Sequence, residues 1–247
     1  CPDYIIRNGT FFRPLNIKAK TISIIQDIYT EVQKKQQIEV ANSSDVVIFN
    51  SPYTRSFYED DVNVSSSVIP LGIDFDLFKP SNRRLKEILP NSILFVGAAT
   101  SHPKGFDLLL KIIDSTEHNF CLVMKDNFHI DHPRIKVVNR VNHRELIKIY
   151  NSCSMLLCTS TQETQHLAGL EGAACGLPIV ASNVGIYYNR EDGAWGHRVE
   201  RTVEAYRKAI DYILSGQKEY APRDYFLRQG YSLDSCEDSW STLVNSL

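Results

Sequence analysis

Short apolar runs alternating with helical stripes constrain this chain more than any other feature. The runs lie at Tyr4–Arg7, Thr21–Gln26, Asp45–Asn50, Ser67–Pro70, Ser92–Gly97, Asn119–Met124, Arg134–Val138, Ser154–Thr159 and Pro178–Ala181. Several are apolar on successive residues, as a strand covered on both faces should be. Between them, Phe106, Leu109, Leu110 and Ile113 recur at i, i+3, i+4, i+7, one face of a helix. Leu146, Ile149, Tyr150 and Cys153 repeat the stripe, as do Val203, Tyr206, Ile210 and Ile213, and then Cys236, Trp240, Leu243 and Leu247. Strands alternating with helices predict a parallel, doubly wound α/β architecture. A Pro-, Gly- and Arg-bearing stretch from Ile69 to Arg84 marks a boundary, sparse in βα units before it and dense after it.

The 247 residues suffice for one large or two small domains. A net charge of −2 gives no basic surface for nucleic acid. No apolar run approaches the roughly 18 residues of a membrane span, and no stretch has the layout of a signal peptide. The six cysteines, Cys1, Cys121, Cys153, Cys158, Cys175 and Cys236, form no C-x-x-C pair. They fit a reduced, cytoplasmic protein without structural zinc. Asn-x-Ser/Thr sequons at Asn8, Asn42 and Asn63 carry no weight without a secretory signal. The chain opens on Cys1 rather than methionine, which fits one domain of a longer polypeptide or a trimmed product.

In open α/β sheets ligands sit beyond the carboxyl ends of strands, beside helix N-termini. Two junctions are equipped for an anion. In Leu94–Leu110 a strand ends at Gly97, and Lys104-Gly105 precedes an amphipathic helix whose free N–H groups favour a phosphate. This is neither a P-loop nor a G-x-G-x-x-G fingerprint. In Ser154–Ser182 a strand runs into Glu163, and a helix expected to start near Gln165 carries Glu171 on its second turn. A carboxylate there can accept two hydroxyl hydrogen bonds from a ribose, and Gly169 and Gly172 allow close approach. Spacing alone means little. Glu31 and Glu39 have the same separation on a polar stretch, without the strand before or the glycines between.

From residue 45 to 182 the chain resembles a GT-B glycosyltransferase of family 4 (glycosyltransferase group 1). The carriers are "DVVIFNSPYTRSFY", "VIPLGIDFDLFKP", "ILFVGAATSHPKGFDLLL" and "ETQHLAGLEGAACGLPIVASNVG", in family order, with "SLDSCEDSWSTLVNSL" resembling the terminal helix that returns to the first domain. The resemblance implies two Rossmann-like domains with parallel sheets. A shortened acceptor-side domain would span 1–78, a nucleotide-sugar domain 79–232, and the returning helix 233–247. It implies a metal-independent, retaining hexosyl transfer without a cofactor, from a nucleotide-diphosphate sugar (UDP before GDP) to a glycan or other hydroxyl acceptor. Glu171 would hold the ribose, Glu163 the transferred sugar, and Lys104 the leaving diphosphate. Gly97, Ala98, Gln165, His166 and Leu167 would surround phosphate and sugar, with His166 near the reacting centre. Arg140 and Val141 would lie by the base, and Asn8, Gly9, Gln26 and Asp27 on the acceptor side.

The sequence departs from the family pattern at three places. Ala98 stands where an arginine is usual, Thr164-Gln165-His166 replaces the small and aromatic residues after the first glutamate, and Gln26-Asp27 replaces a histidine and aspartate. The "DFD" of Asp74–Asp76 has metal-pair spacing but falls in the linker. Trp195, in a glycine-flanked loop, suits either a lid or a plug. The alternative function is a non-catalytic sugar-nucleotide or glycan-binding module on the same fold; an epimerase is a third, weaker reading.

Overall fold

The computed structural model describes residues 3–8, 18–82, 84–100 and 102–247. The chain separates into two compact units, Cys1–Gly72 with Leu233–Leu247, and Ile73–Ser232.

The first unit holds β1 (Tyr4–Asn8), β2 (Lys20–Ile25), α1 (Glu31–Asn42), β3 (Val46–Phe49), α2 (Pro52–Ser56) and β4 (Ser66–Val68). Its sheet runs β1-β2-β3-β4, every pair parallel. β3 reads Val-Val-Ile-Phe because both of its faces are covered. Val47 and Phe49 pack with Ala41 of α1 and with Tyr58. Val46 and Ile48 point the other way, where Trp240, Leu243 and Val244 pack against them. These belong to the last helix, α8 (Leu233–Ser246), which is therefore part of this unit. α2 starts at Ser51, whose hydroxyl accepts from Thr54 N, with Pro52 at the first helical position.

The second unit holds β5 (Ile93–Gly97), α3 (Phe106–Asp114), β6 (Phe120–Met124), β7 (Ile135–Asn139), α4 (His143–Tyr150), β8 (Met155–Cys158), α5 (Leu167–Ala174), β9 (Ile179–Ala181), β10 (Gly196–Arg198), α6 (Val203–Leu214) and α7 (Pro222–Arg228). The sheet order is β10-β9-β8-β5-β6-β7, all parallel. On one face the core joins Phe95, Leu122 and Leu157 to Leu109 and Ile112 of α3 and Tyr206 and Ile210 of α6. On the other, α5 meets β8, where Gly172 leaves room for Leu156 and Tyr150.

The junction expected at 78/79 falls instead after Gly72. Phe75 and Phe78 are buried, and their carbonyls, with that of Ala174, accept the Arg223 guanidinium at 2.8–2.9 Å. Asp74 of the "DFD" run accepts from the N–H groups of Asp76 and Leu77, so it closes a turn. Each expected strand is present; β10, α2 and α7 were not anticipated. Among the described residues no helix is long and apolar enough to cross a membrane.

If α8 covers the first sheet, Trp240→Ala should cost on the order of 2 kcal/mol, less than a fully buried Trp because the ring is half-exposed. Hydrogen exchange should then quicken in β2 and β3 and stay unchanged in β5 and β8.

Candidate functional site

The second sheet changes winding direction between β5 and β8, neighbours that are far apart in sequence. Such a reversal is where ligands commonly bind in open α/β sheets, beyond the carboxyl ends of the two strands. From β5 comes the loop carrying Lys104; from β8 comes the loop carrying Glu163.

Backbone contacts clamp the two loops together. Thr161 N donates to Pro103 O at 2.7 Å, and Thr159 Oγ1 to Lys104 O at 3.0 Å. Gly105 has φ +63°, and a Cβ there would stand 2.0 Å from Thr159 O, so only glycine permits the approach. Held this way, Lys104 Nζ lies 2.7 Å from Glu163 Oε1, which also accepts from Ser160 Oγ at 2.7 Å. Burial raises the Glu163 carboxyl, but the charges of His166 and Lys104 and the bonds from Lys104 and Ser160 outweigh it and hold the group below the ordinary glutamate value. Burial pushes His166 down to about 4, against the pull of Glu163. The ring is therefore neutral at neutral pH, and Lys104 is the charge that keeps Glu163 ionised there.

His166 is the N-cap of α5 at φ 74°, ψ 66°, and its own side chain makes no capping hydrogen bond. Gly169 N already donates to His166 O, and among the described residues no hydrogen bond takes the N–H groups of Leu167 and Ala168. His166 Nδ1 lies 2.8 Å from the Tyr187 hydroxyl. One turn into α5, Glu171 Oε2 accepts from Tyr150 Oη at 2.9 Å. Burial raises the Glu171 carboxyl, with Tyr150 and His143 opposing it. Among the described residues no hydrogen bond reaches its second oxygen.

The remaining expected residues fall in several places. Gly97 ends β5, packed against the Phe95 ring, and Ala98 is buried beside it. Gln165 is almost wholly buried, its carbonyl accepting from Ile186 N, whereas Leu167 is exposed. Arg140 and Val141 lie past the end of β7, two strands from β5, and line a cavity of about 570 Å³ with Leu85, Ile88 and Glu145. In the first unit Asn8 ends β1, and Gln26 and Asp27 follow β2. Tyr58 Oη donates to Asp27 O at 2.9 Å, and Gly9 lies outside the described residues. Trp195 is a plug: fully buried, stacked on Tyr187 at 5.2 Å, its indole N–H donating to Glu191 O. Glu31 and Glu39 are exposed on α1.

Cys158, Glu163 and His166 place one potential ligand atom each within 4.8 Å of one another. The Cys158 thiol is pushed up to about 12, chiefly by burial, and the Lys104 ammonium already occupies the cation position at Glu163. A metal would have to displace both a proton and a lysine.

A family model described as Glycosyl transferases group 1 matches residues 90–216. The chain belongs to this family. An uncharacterised glycosyltransferase of Methanocaldococcus jannaschii is 28% identical over 157 residues, 58% of this chain and 41% of the relative. The D-inositol 3-phosphate glycosyltransferase of Paenarthrobacter aurescens is 30% identical over 142 residues, 48% of this chain and 35% of the relative. The chain thus spans less than half the length of these two relatives. Sucrose-phosphate synthase from Thermosynechococcus elongatus superimposes with a TM-score of 0.80 at 18% identity, covering 99% of this chain and 73% of that one. Anabaena HepE in complex with UDP gives 0.78 at 15% identity, covering 93% and 73%. The fold is that of GT-B glycosyltransferases, as the group 1 membership leads one to expect.

Tyr150, Ser160 and Tyr187 escaped sequence reasoning as site residues. Tyr150 belonged to an apolar stripe, and nothing local in "GIYYNR" marks Tyr187.

A histidine whose folded value is depressed from 6.5 to about 4 supports the fold fully above the unfolded value, and that support is lost as pH falls toward the folded one. Urea unfolding should show stability falling between pH 6.5 and 4, and His166→Asn should flatten that slope.

Proposed function

We propose that the chain carries the donor site of a retaining, metal-independent glycosyltransferase. It would move a hexose from a nucleotide-diphosphate sugar, UDP before GDP, to a hydroxyl of a glycan or glycoconjugate. The supporting observation is the Lys104–Glu163 pair at the winding reversal, 2.7 Å apart, with Glu171 one turn into the adjoining helix. That HepE is known in complex with UDP and with UDP-glucose favours a uridine donor.

In this reading the diphosphate lies at the N-terminus of α5, where Lys104 turns from Glu163 to the phosphate. Glu171 accepts from the ribose hydroxyls through the oxygen that Tyr150 does not use. Glu163, freed of its lysine, faces the sugar as positive charge grows at the anomeric carbon. The acceptor oxygen bonds to that carbon as its bond to phosphate breaks. The departing phosphate oxygen takes the acceptor's proton on the same face, so the configuration is retained. Lys104 and the helix N–H groups meet the leaving charge. Arg140 and Val141 would flank the base, and Asn8, Gln26 and Asp27, at the carboxyl ends of β1 and β2, would face the acceptor, together with Gly9. Five described cysteines are free, four of them buried, which fits the reducing cytoplasm.

Binding and steady-state kinetics test this assignment. Lys104→Ala should weaken UDP by about 1.5–3 kcal/mol and uridine far less; equal loss would reassign the lysine to folding. Glu163→Gln should lower kcat on the order of 100- to 1000-fold while UDP binds as tightly or more tightly, because its competitor for Lys104 has lost its charge. Glu171→Ala should act mainly on KM. Glu31→Ala and Glu39→Ala should change neither parameter by more than about twofold.

A second check concerns metal. Activity should persist in EDTA; loss with chelator and recovery with manganese would overturn the metal-free route.

A further inference from the structure

His166 holds a backbone conformation that side chains seldom adopt, at the mouth of the donor crevice. Its φ of 74° lies in the left-handed region, which costs a non-glycine residue free energy unless the surroundings enforce it. The surroundings here are specific. Tyr187 Oη lies 2.8 Å from His166 Nδ1, the rings meet edge to face at 5.6 Å, and the tyrosine is fully buried. Gly169 makes room for the pair: a Cβ there would come within 1.9 Å of the Tyr187 oxygen and 2.5 Å of His166 Nδ1.

The direction of this bond follows from counting partners. Among the described residues, His166 is the hydrogen-bond partner of the Tyr187 hydroxyl. If Nδ1 carried the proton, the buried phenol O–H would have no acceptor. If the phenol donates, only an oxygen lone pair goes unused, which is the cheaper deficit. His166 Nε2 has no hydrogen bond among the described residues, and the residue keeps 6% of its surface exposed.

We infer that Tyr187 is a positioning residue: it donates to His166 Nδ1, fixes the imidazole as the Nε2–H tautomer, and presents that N–H to the phosphate end of the donor. This rests on the donor-site reading above. His166 then acts as a neutral hydrogen-bond donor beside the first turn of α5 and takes no proton at Nε2. Burial agrees on both sides. The Tyr187 phenol is pushed well above its ordinary value and keeps its hydrogen, and His166, lowered to about 4, stays uncharged.

Two measurements test the inference. Nitrogen-15 spectra of histidine-labelled wild-type chain, with His166 assigned by its loss in His166→Gly, should show a protonated Nε2 and a bare Nδ1. Added UDP-glucose should shift Nε2 more than Nδ1. The reverse tautomer overturns the inference without any variant having to fold. The second measurement is a double-mutant cycle read as UDP-glucose affinity by calorimetry. His166→Gly should weaken binding roughly tenfold or more, the worth of a hydrogen bond to a charged group. Tyr187→Phe, which keeps its stacking on Trp195, should weaken it several-fold alone and by less than about twofold in the His166→Gly background. An undiminished loss in that background means that Tyr187 acts through packing, and overturns the positioning role. Wild-type chain that binds neither UDP nor UDP-glucose overturns the donor-site reading itself, and the role of Nε2 with it; the tautomer is still read from the ligand-free spectrum.

Discussion

The winding reversal between β5 and β8 is the constraint on which the second unit depends. A parallel sheet buries both faces, so the chain cannot turn back along an edge; it must cross over a face and re-enter elsewhere. After β7 it re-enters beside β5, and the loops from β5 and β8 then face each other across the strand ends. Sheet topology brings the loops of Lys104 and Glu163, 2.7 Å apart, to the same end of neighbouring strands. The remaining distance is closed by one residue without a side chain, Gly105, pressed against Thr159 O.

The environments of the three charged or chargeable side chains then separate their properties. Glu163 is half-buried yet ionised because a lysine and a serine both bond to one of its oxygens. Glu171 has a neutral phenol in place of a cation, so burial prevails and its carboxyl rises. His166, lacking hydrogen-bonded anionic support, discharges. Two glutamates in one motif thus have their carboxyls moved in opposite directions by their surroundings.

What the sequence made legible follows from how each element is stabilised. β3, β6 and β8 are read directly because covered parallel strands are continuously apolar. β10 is Gly-His-Arg and stays in the sheet through backbone pairing to β9, which leaves no apolar run to see. α7 has a Pro222 start but few apolar positions, and its anchor, Arg223 donating to three carbonyls, is tertiary. Lys104, Glu163 and Glu171 are candidates the sequence offers because each follows the end of a strand at a short offset. His166 was legible as a position but not as a conformation: a left-handed helix cap normally announces itself as glycine, and the phenol that supports this one comes from a loop beyond β9. The boundary was set too late because "FDLFKP" looks like linker while its phenylalanines are core.

The same loop explains how the site can be firm without a strong helix beneath it. α5 is short and rich in small residues, and the side chain of its N-cap residue makes no capping bond, so propensity alone holds it poorly. Rigidity comes from behind. Tyr187 stacks on Trp195, Trp195 meets Phe226, and Phe226 meets Tyr231. Arg190 lies over the rings of Tyr225, Phe226 and Tyr231 and donates to Ile186 O at 2.7 Å, tying the loop to α7, which itself packs on α5. Trp195 therefore braces the start of α5 from within the core. It stacks on Tyr187, Tyr187 bonds to His166, and the start of α5 is thereby tied to the aromatic core by a chain of contacts.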